Sequence, residues 1–191
     1  MRIYFVGAHS CGKSTLARYC SETYQLPIIT EVARTILAEK ELQIETLRTD
    51  ISVVNSFQKE VFHRQISEEA KLTSFVSDRS FDCLAYAVQH STIFNKLFNS
   101  DELKKYIESL KKPDAMIFYI KPNKNTLKND GVRENVIWDG VVAIDAIVKC
   151  FIQMFGLKCF QINMDSMQER IQFIDSILSL TTLNKITNKN I

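Results

Sequence analysis

Ile3-Tyr4-Phe5-Val6-Gly7-Ala8-His9-Ser10-Cys11-Gly12-Lys13-Ser14 decides the fold, and Thr15-Leu16-Ala17-Arg18-Tyr19-Cys20 continues it. The apolar run reads as a strand and the second stretch as a helix, with G-x-x-x-x-G-K-S between them. A strand, this loop and a helix, in that order, make a phosphate-binding loop. Glycines at its two ends let the backbone curl, so that successive N–H groups point into one concavity. The helix that starts there adds its positive N-terminal end to the same anion site. Lys13 reaches the β- and γ-phosphates of a nucleotide as a point charge, and Ser14 offers a hydroxyl to Mg²⁺. Gly7, Ala8, His9, Ser10, Cys11, Gly12, Lys13, Ser14 and Thr15 are therefore the expected ATP contacts.

At 191 residues and 46% hydrophobic, the chain is long enough to bury a full core as one domain. A net charge of +2 gives no electrostatic case for nucleic acid, a membrane surface or an acidic partner. No apolar run approaches the ~20 residues of a membrane span, and no signal peptide is expected from the first residues. The five cysteines, Cys11, Cys20, Cys83, Cys150 and Cys159, have no C-x-x-C pair. Free thiols in a reducing cytoplasm are expected, rather than a disulfide framework or a zinc site.

Strands alternate with helices along the chain, which predicts an α/β fold with a parallel sheet covered on both faces. Strands are expected at Ile3–Val6, Leu26–Thr30, Ser74–Ser77, Ala115–Ile120 and Cys159–Ile162. Helices are expected from the phosphate loop to Glu22, and over Val32–Lys40, Ser52–Leu72, Asp82–His90, Asp101–Lys112, Val141–Phe155 and Ser166–Leu180. Thr49 or Asp50 is placed to cap the longest of these. Its stripe of Val53, Phe57, Val61, Phe62 and Ile66 is expected to pack in the core, as is Trp138. The Asn- and Gly-containing stretch from Lys121 to Gly140 reads as a lid-like loop, and 181–191 as a frayed tail.

Ligands of open α/β sheets bind beyond the carboxyl ends of the strands. Those ends carry Glu31 and Arg34 after the second strand. After the third come Asp78, Arg79 and Ser80, with Asp82 and Tyr86 on the next helix. The loop after the fourth carries Lys124, Lys128, Asp130 and Arg133. Charges of both signs on one rim suit phosphoryl transfer. Cations stabilise the γ-phosphoryl oxygens, one carboxylate holds Mg²⁺, and another meets the acceptor's proton. Glu31 and Asp82 are equally placed to begin helices, where a carboxylate is favourable.

G-A-H-S-C-G-K-S-T at 7–15, T-E-V-A-R at 30–34, S-D-R-S-F-D-C-L-A-Y at 77–86 and N-D-G-V-R at 129–133 together carry a resemblance over roughly residues 1 to 175. The sequence resembles P-loop nucleoside and nucleotide kinases, and more closely an AAA-type ATPase/kinase family near nicotinamide-riboside kinases. The resemblance implies a three-layer α/β fold whose five-stranded parallel sheet runs in the order 2-3-1-4-5, with a mobile lid. It implies that Glu31 matches a general base and that Asp78 to Ser80 match an acidic-arginine motif near the acceptor and the metal. It also implies that Asp130, Gly131 and Arg133 match a lid that brings an arginine onto the phosphates.

The expected activity is ATP- and Mg²⁺-dependent phosphoryl transfer to a small acceptor, with a nucleoside or nucleoside monophosphate favoured. Lys13, Glu31, Asp78, Arg79 and Arg133 are the expected catalytic residues. Glu31, Arg34, Asp78, Arg79, Asp82 and Tyr86 are expected to bind the acceptor, and Ser14 and Asp78 the metal. A kinase acting on a base or end of a polynucleotide is the first alternative, which the low net charge does not favour. A regulatory NTPase without an acceptor is the second. The sequence leaves a homodimer open.

Overall fold

Four of the five residues of strand β1 (Arg2–Val6) are buried, because β1 lies in the middle of the sheet. The computed structural model describes residues 1–42, 46–124 and 138–187. Within them β2 (Ile28–Ile29), β3 (Phe75–Asp78), β4 (Ala115–Ile120) and β5 (Cys159–Ile162) complete a five-stranded sheet in the order β2-β3-β1-β4-β5. Every pairing is parallel, so all five carboxyl ends lie along one edge. This is the expected order, and it puts β1 and β3 side by side. In the register of that pair Phe5 faces Asp78.

The helices are α1 (Lys13–Tyr24), α2 (Val32–Glu39), α3 (Thr46–Thr49), α4 (Ile51–Ala70), α5 (Cys83–His90), α6 (Phe94–Phe98), α7 (Asp101–Leu110), α8 (Trp138–Met154) and α9 (Met167–Thr187). Alternate residues of a strand point to opposite faces. Tyr4 and Val6 accordingly join one core with α2, α4, α5, α7 and α8, while Ile3 and Phe5 join another with α1 and α9. Phe5 and Phe118, paired on β1 and β4, stack with ring centroids 5.5 Å apart.

Several boundaries differ from expectation for local reasons. β2 shrinks to two residues because it pairs only with β3, as an edge strand preceded by Pro27, which has no N–H to give. β3 ends one residue later, so that Asp78 closes the strand. Asp50, not Thr49, caps α4, its carboxylate accepting the N–H groups of Ser52 and Val53. α8 begins at Trp138, which packs on the core as expected. It ends at Gly156 (φ 63°), where the Leu157 N–H donates to Ile152 O and the Gly156 N–H to Gln153 O, the pattern of a glycine-terminated helix. α9 continues past Leu180 to Thr187, where a frayed tail was expected. The short helices α3 and α6 were not expected. The expected lid residues Lys128, Asp130, Gly131 and Arg133 lie outside the described residues. All five cysteines are free thiols. Among the described residues no helix is long and apolar enough to cross a membrane.

The buried face of α4 includes polar side chains. Glu69 accepts hydrogen bonds from Gln65 Nε2 (2.8 Å), Tyr106 Oη (2.7 Å) and Tyr4 Oη (3.2 Å). Burial pushes the Glu69 carboxyl up from 4.5 to about 7, against the opposing pull of those hydrogen bonds. The folded chain therefore holds this proton more tightly than the unfolded chain. Between pH 4.5 and about 7 the unfolded state binds fewer protons, so stability falls as pH rises through that window, by about 3 kcal/mol in all. Glu69→Gln keeps the acceptor and removes the ionisation. Urea unfolding should find the variant close to wild type at pH 5 and more stable at pH 8. Parallel pH profiles for the two proteins would refute this.

Candidate active site

The phosphate loop is shaped by contacts that only glycine permits. At Gly7 (φ 142°) a Cβ would lie 2.6 Å from Ile120 O. At Gly12 (φ 95°) it would lie 3.3 Å from a guanidinium nitrogen of Arg170 and 3.4 Å from Met167 Cε. Lys13 folds back over the loop and is nearly buried. Its ammonium donates to Gly7 O at 3.0 Å and Ala8 O at 2.5 Å. The Cys11 thiol also donates to Ala8 O, at 2.9 Å. Ser14 and Thr15, at the start of α1, are exposed.

At the end of β3 the chain turns through Arg79, whose φ of 118° is a conformation side chains other than glycine rarely adopt. Surrounding hydrogen bonds hold it there. Gln65 Nε2 donates to Ser77 Oγ at 3.0 Å and to Arg79 O at 3.4 Å. Asp82 Oδ1 accepts the Ser80 N–H at 2.7 Å. The Arg79 side chain, only 5% exposed, pairs with Glu31 at 2.8 Å and with Asp82 at 3.1 Å. Burial opposes its charge, yet Glu31, Tyr86, Asp82 and Asp78 hold its pKa well above the ordinary arginine value.

One chain of contacts crosses the cleft. Arg34 donates to Glu31 at 2.8 Å, Glu31 accepts from Arg79, and Arg79 donates to Tyr86 Oη at 3.4 Å. Tyr86 Oη in turn meets His9 Nδ1 of the phosphate loop at 3.2 Å. The Arg79 guanidinium also lies 4.9 Å from the centre of the Tyr86 ring. The fold thus joins Glu31 and Arg34 at the start of α2, Arg79 after β3, Asp82 and Tyr86 at the start of and within α5, and His9 in the loop after β1. Asp82 is fully buried and holds Arg79 in place instead of facing the cleft. Burial pushes its carboxyl above the ordinary value, opposed by the charges of Arg79 and Lys13. Asp78 is 5% exposed, and its Oδ1 is buried with no hydrogen-bond partner among the described residues.

A family of AAA domains matches the chain over residues 2–170. The chain belongs to this AAA-domain family. No protein of curated function matches the sequence significantly. Its fold is that of P-loop kinases among solved structures. Deoxyadenosine kinase from M. mycoides with bound dCTP superposes with a TM-score of 0.70 at 14% identity, covering 94% of this chain and 99% of that one. A NadR protein in complex with NR gives 0.72 at 16% identity, covering 95% of this chain and 49% of that one. Shikimate kinase from Acinetobacter baumannii in complex with shikimate gives 0.59 at 12%, covering 96% and 94%.

In this AAA-domain chain a pocket opens beside the Glu31–Arg79 pair, walled by Phe57, Gln58 and Val61 of α4 and by Cys83 and Tyr86 of α5. The α4 wall was expected to be core alone. Phe57 and Val61 do belong to the core, and they also line the pocket. The available signal was Gln58, followed by Gln65 and Glu69, polar side chains set among the apolar ones on the buried face of α4. Arg170, which touches the phosphate loop from α9, had no sequence signal at all.

Proposed function

We propose that the chain is a kinase that moves the γ-phosphoryl group of ATP to a hydroxyl or phosphate oxygen of a small acceptor, with a nucleoside or nucleoside monophosphate as the acceptor class. The observation that carries this reading is the Glu31–Arg79 pair, set at an aromatic-walled pocket and joined through Tyr86 and His9 to the phosphate loop. Phe57 and Tyr86 offer ring faces to a planar heterocycle, and the Gln58 amide offers both a donor and an acceptor to its edge.

Glu31 lines the pocket and Asp78 does not, so Glu31 takes the acceptor side and Asp78 the nucleotide side. The acceptor oxygen attacks the γ-phosphorus, the bond to the bridging oxygen breaks and ADP leaves; where the acceptor is a hydroxyl, its proton passes to Glu31. Arg79 and Lys13 stabilise charge on the phosphoryl oxygens as it moves. Arg133 takes the same role from the lid. The donors present suit Mg²⁺, namely the exposed Ser14 hydroxyl and, through water, the unpartnered Asp78 Oδ1. Among the described residues no three His, Cys, Asp or Glu side chains form a metal cluster, and an ion bound largely by phosphates and water needs none. Bound there, the ion would neutralise charge on the β- and γ-phosphates.

The test is ATP consumption with Mg²⁺ against nucleosides, deoxynucleosides, their monophosphates and nicotinamide riboside, with an acceptor-free control. Stimulation by one class is expected. Equal rates with and without every acceptor would overturn the kinase reading. With the best acceptor, Gln58→Leu should raise the acceptor KM about tenfold, the loss of one specific hydrogen bond. It should leave the KM for ATP within about twofold. An unchanged acceptor KM would remove Gln58 from the pocket's working surface.

A further inference from the structure

We infer that Arg170 of α9 is a positioning residue for the phosphate loop, turning the Cys11–Gly12 peptide so that the Gly12 N–H is aimed at the nucleotide phosphates. The inference rests on the ATP-binding reading above and extends it to a residue about 160 positions away, outside every motif of the site.

Arg170 is 2% exposed. Its Nη1 donates to Cys11 O at 2.7 Å and its Nε to Met164 O at 2.6 Å. Among the described residues no carboxylate pairs with it. A buried guanidinium that meets only carbonyls is costly to desolvate, and an apolar side chain of similar length would serve packing at least as well. Met167 and Met164 already stand beside it. What the guanidinium adds is its grip on the Cys11 carbonyl.

The geometry of the peptide gives that grip a consequence. In a trans peptide the C=O and the following N–H point in opposite directions, and the described chain has no cis peptide. Fixing Cys11 O on the α9 side of the loop therefore turns the Gly12 N–H to the other side. Gly12 sits at φ 95°, and a glycine there can rotate its peptides at little steric cost. Without an anchor that N–H would spend part of its time turned away, and ATP binding would have to order it. Charge assistance also polarises the peptide, which makes its N–H a stronger donor. Two cations thus hold the loop. Lys13 holds the carbonyls of Gly7 and Ala8, and Arg170 holds that of Cys11.

Titration calorimetry with MgATP and with inorganic tripolyphosphate on Arg170→Met, Arg170→Lys and Lys13→Ala, beside thermal melts, tests this. Arg170→Met should melt within about 3 °C of wild type or above it, since a buried charge gives way to an apolar group. It should bind both probes about tenfold more weakly, the cost of one charge-assisted hydrogen bond. Arg170→Lys, which can still hold the Cys11 carbonyl, should recover part of the affinity. An equal loss for both probes locates the effect at the phosphates and not at the base. If Lys13→Ala loses affinity while folded Arg170→Met keeps wild-type affinity for tripolyphosphate, the inference is wrong. If Lys13→Ala itself binds MgATP like wild type, the ATP-binding reading fails instead. Should Arg170→Met not fold, Arg170→Gln, uncharged and too short to reach Cys11 O, carries the same expectation and the same refutation.

Discussion

Lys13→Ala should cut ATP turnover at least about 10³-fold and leave the chain folded. The ammonium is the one side-chain cation of the loop itself, and it bonds two of the loop's carbonyls from a nearly buried position. A preorganised cation of this kind stabilises charge on the transferring phosphoryl group in a site from which water is largely excluded. Removing one such donor typically costs 10²–10³ in rate, and more where ground-state binding is lost as well. The fold loses less. Gly7 O and Ala8 O each forfeit a donor, worth roughly 1 kcal/mol apiece, while an ammonium no longer has to be buried, which offsets part of that cost. A coupled ADP-release assay and a circular-dichroism melt measure the two effects separately. A folded variant with wild-type turnover would sink the kinase scheme and the nucleotide site with it.

Arg79→Met should be the most destabilising single change at the site, by about 3–5 kcal/mol, and should also abolish transfer. Arg79 is the partner of two carboxylates. One of them, on Asp82, is fully buried, and its Oδ2 bonds to the guanidinium at 3.1 Å. Without Arg79 that carboxylate stays buried, with the Ser80 N–H still donating to its Oδ1. A typical domain is stable by 5–15 kcal/mol, so the loss is a large share of the total. The sign with pH follows from Asp82. Its pKa already lies above the ordinary value because of burial, and losing the Arg79 charge raises it further. The deficit should therefore shrink as pH is lowered and Asp82 takes up a proton. Urea unfolding of both proteins at pH 7 and pH 5 gives the difference. A deficit that does not depend on pH would mean that Asp82 is not the group left unpaired.

The strain at Arg79 fits this picture. A φ of 118° costs of order 1–3 kcal/mol. It persists because Gln65, Asp82 and Glu31 fix the residue from three elements. In return the guanidinium lies between Glu31 and the Tyr86 ring, beside the pocket and joined through Tyr86 to His9 of the phosphate loop.

The strand order followed from the resemblance to P-loop kinases, whereas the first loop, the parallel sheet and the carboxyl-edge position of Glu31, Asp78 and Arg79 were legible from local rules. G-x-x-x-x-G-K-S carries its own backbone geometry, alternating strands and helices dictate a parallel sheet, and a residue that follows a strand lies at that strand's end. Asp82 was read as facing the acceptor because a helix-start carboxylate shows no sign of its burial along the chain. Phe57 and Val61 looked like core, and they are core. Whether a core residue also borders a cleft depends on which neighbour is missing beside it, and α2 and α5 decide that across the fold. Arg170 was silent for the same reason. Its partner is a backbone oxygen far away in sequence, and a carbonyl has no residue identity to read. Residue pattern alone determined that this protein has a phosphate loop and a rim of charge. Only the packing of α4, α5 and α9 against that rim decided which charges face the cleft, which are locked behind it, and which residue holds the loop in place.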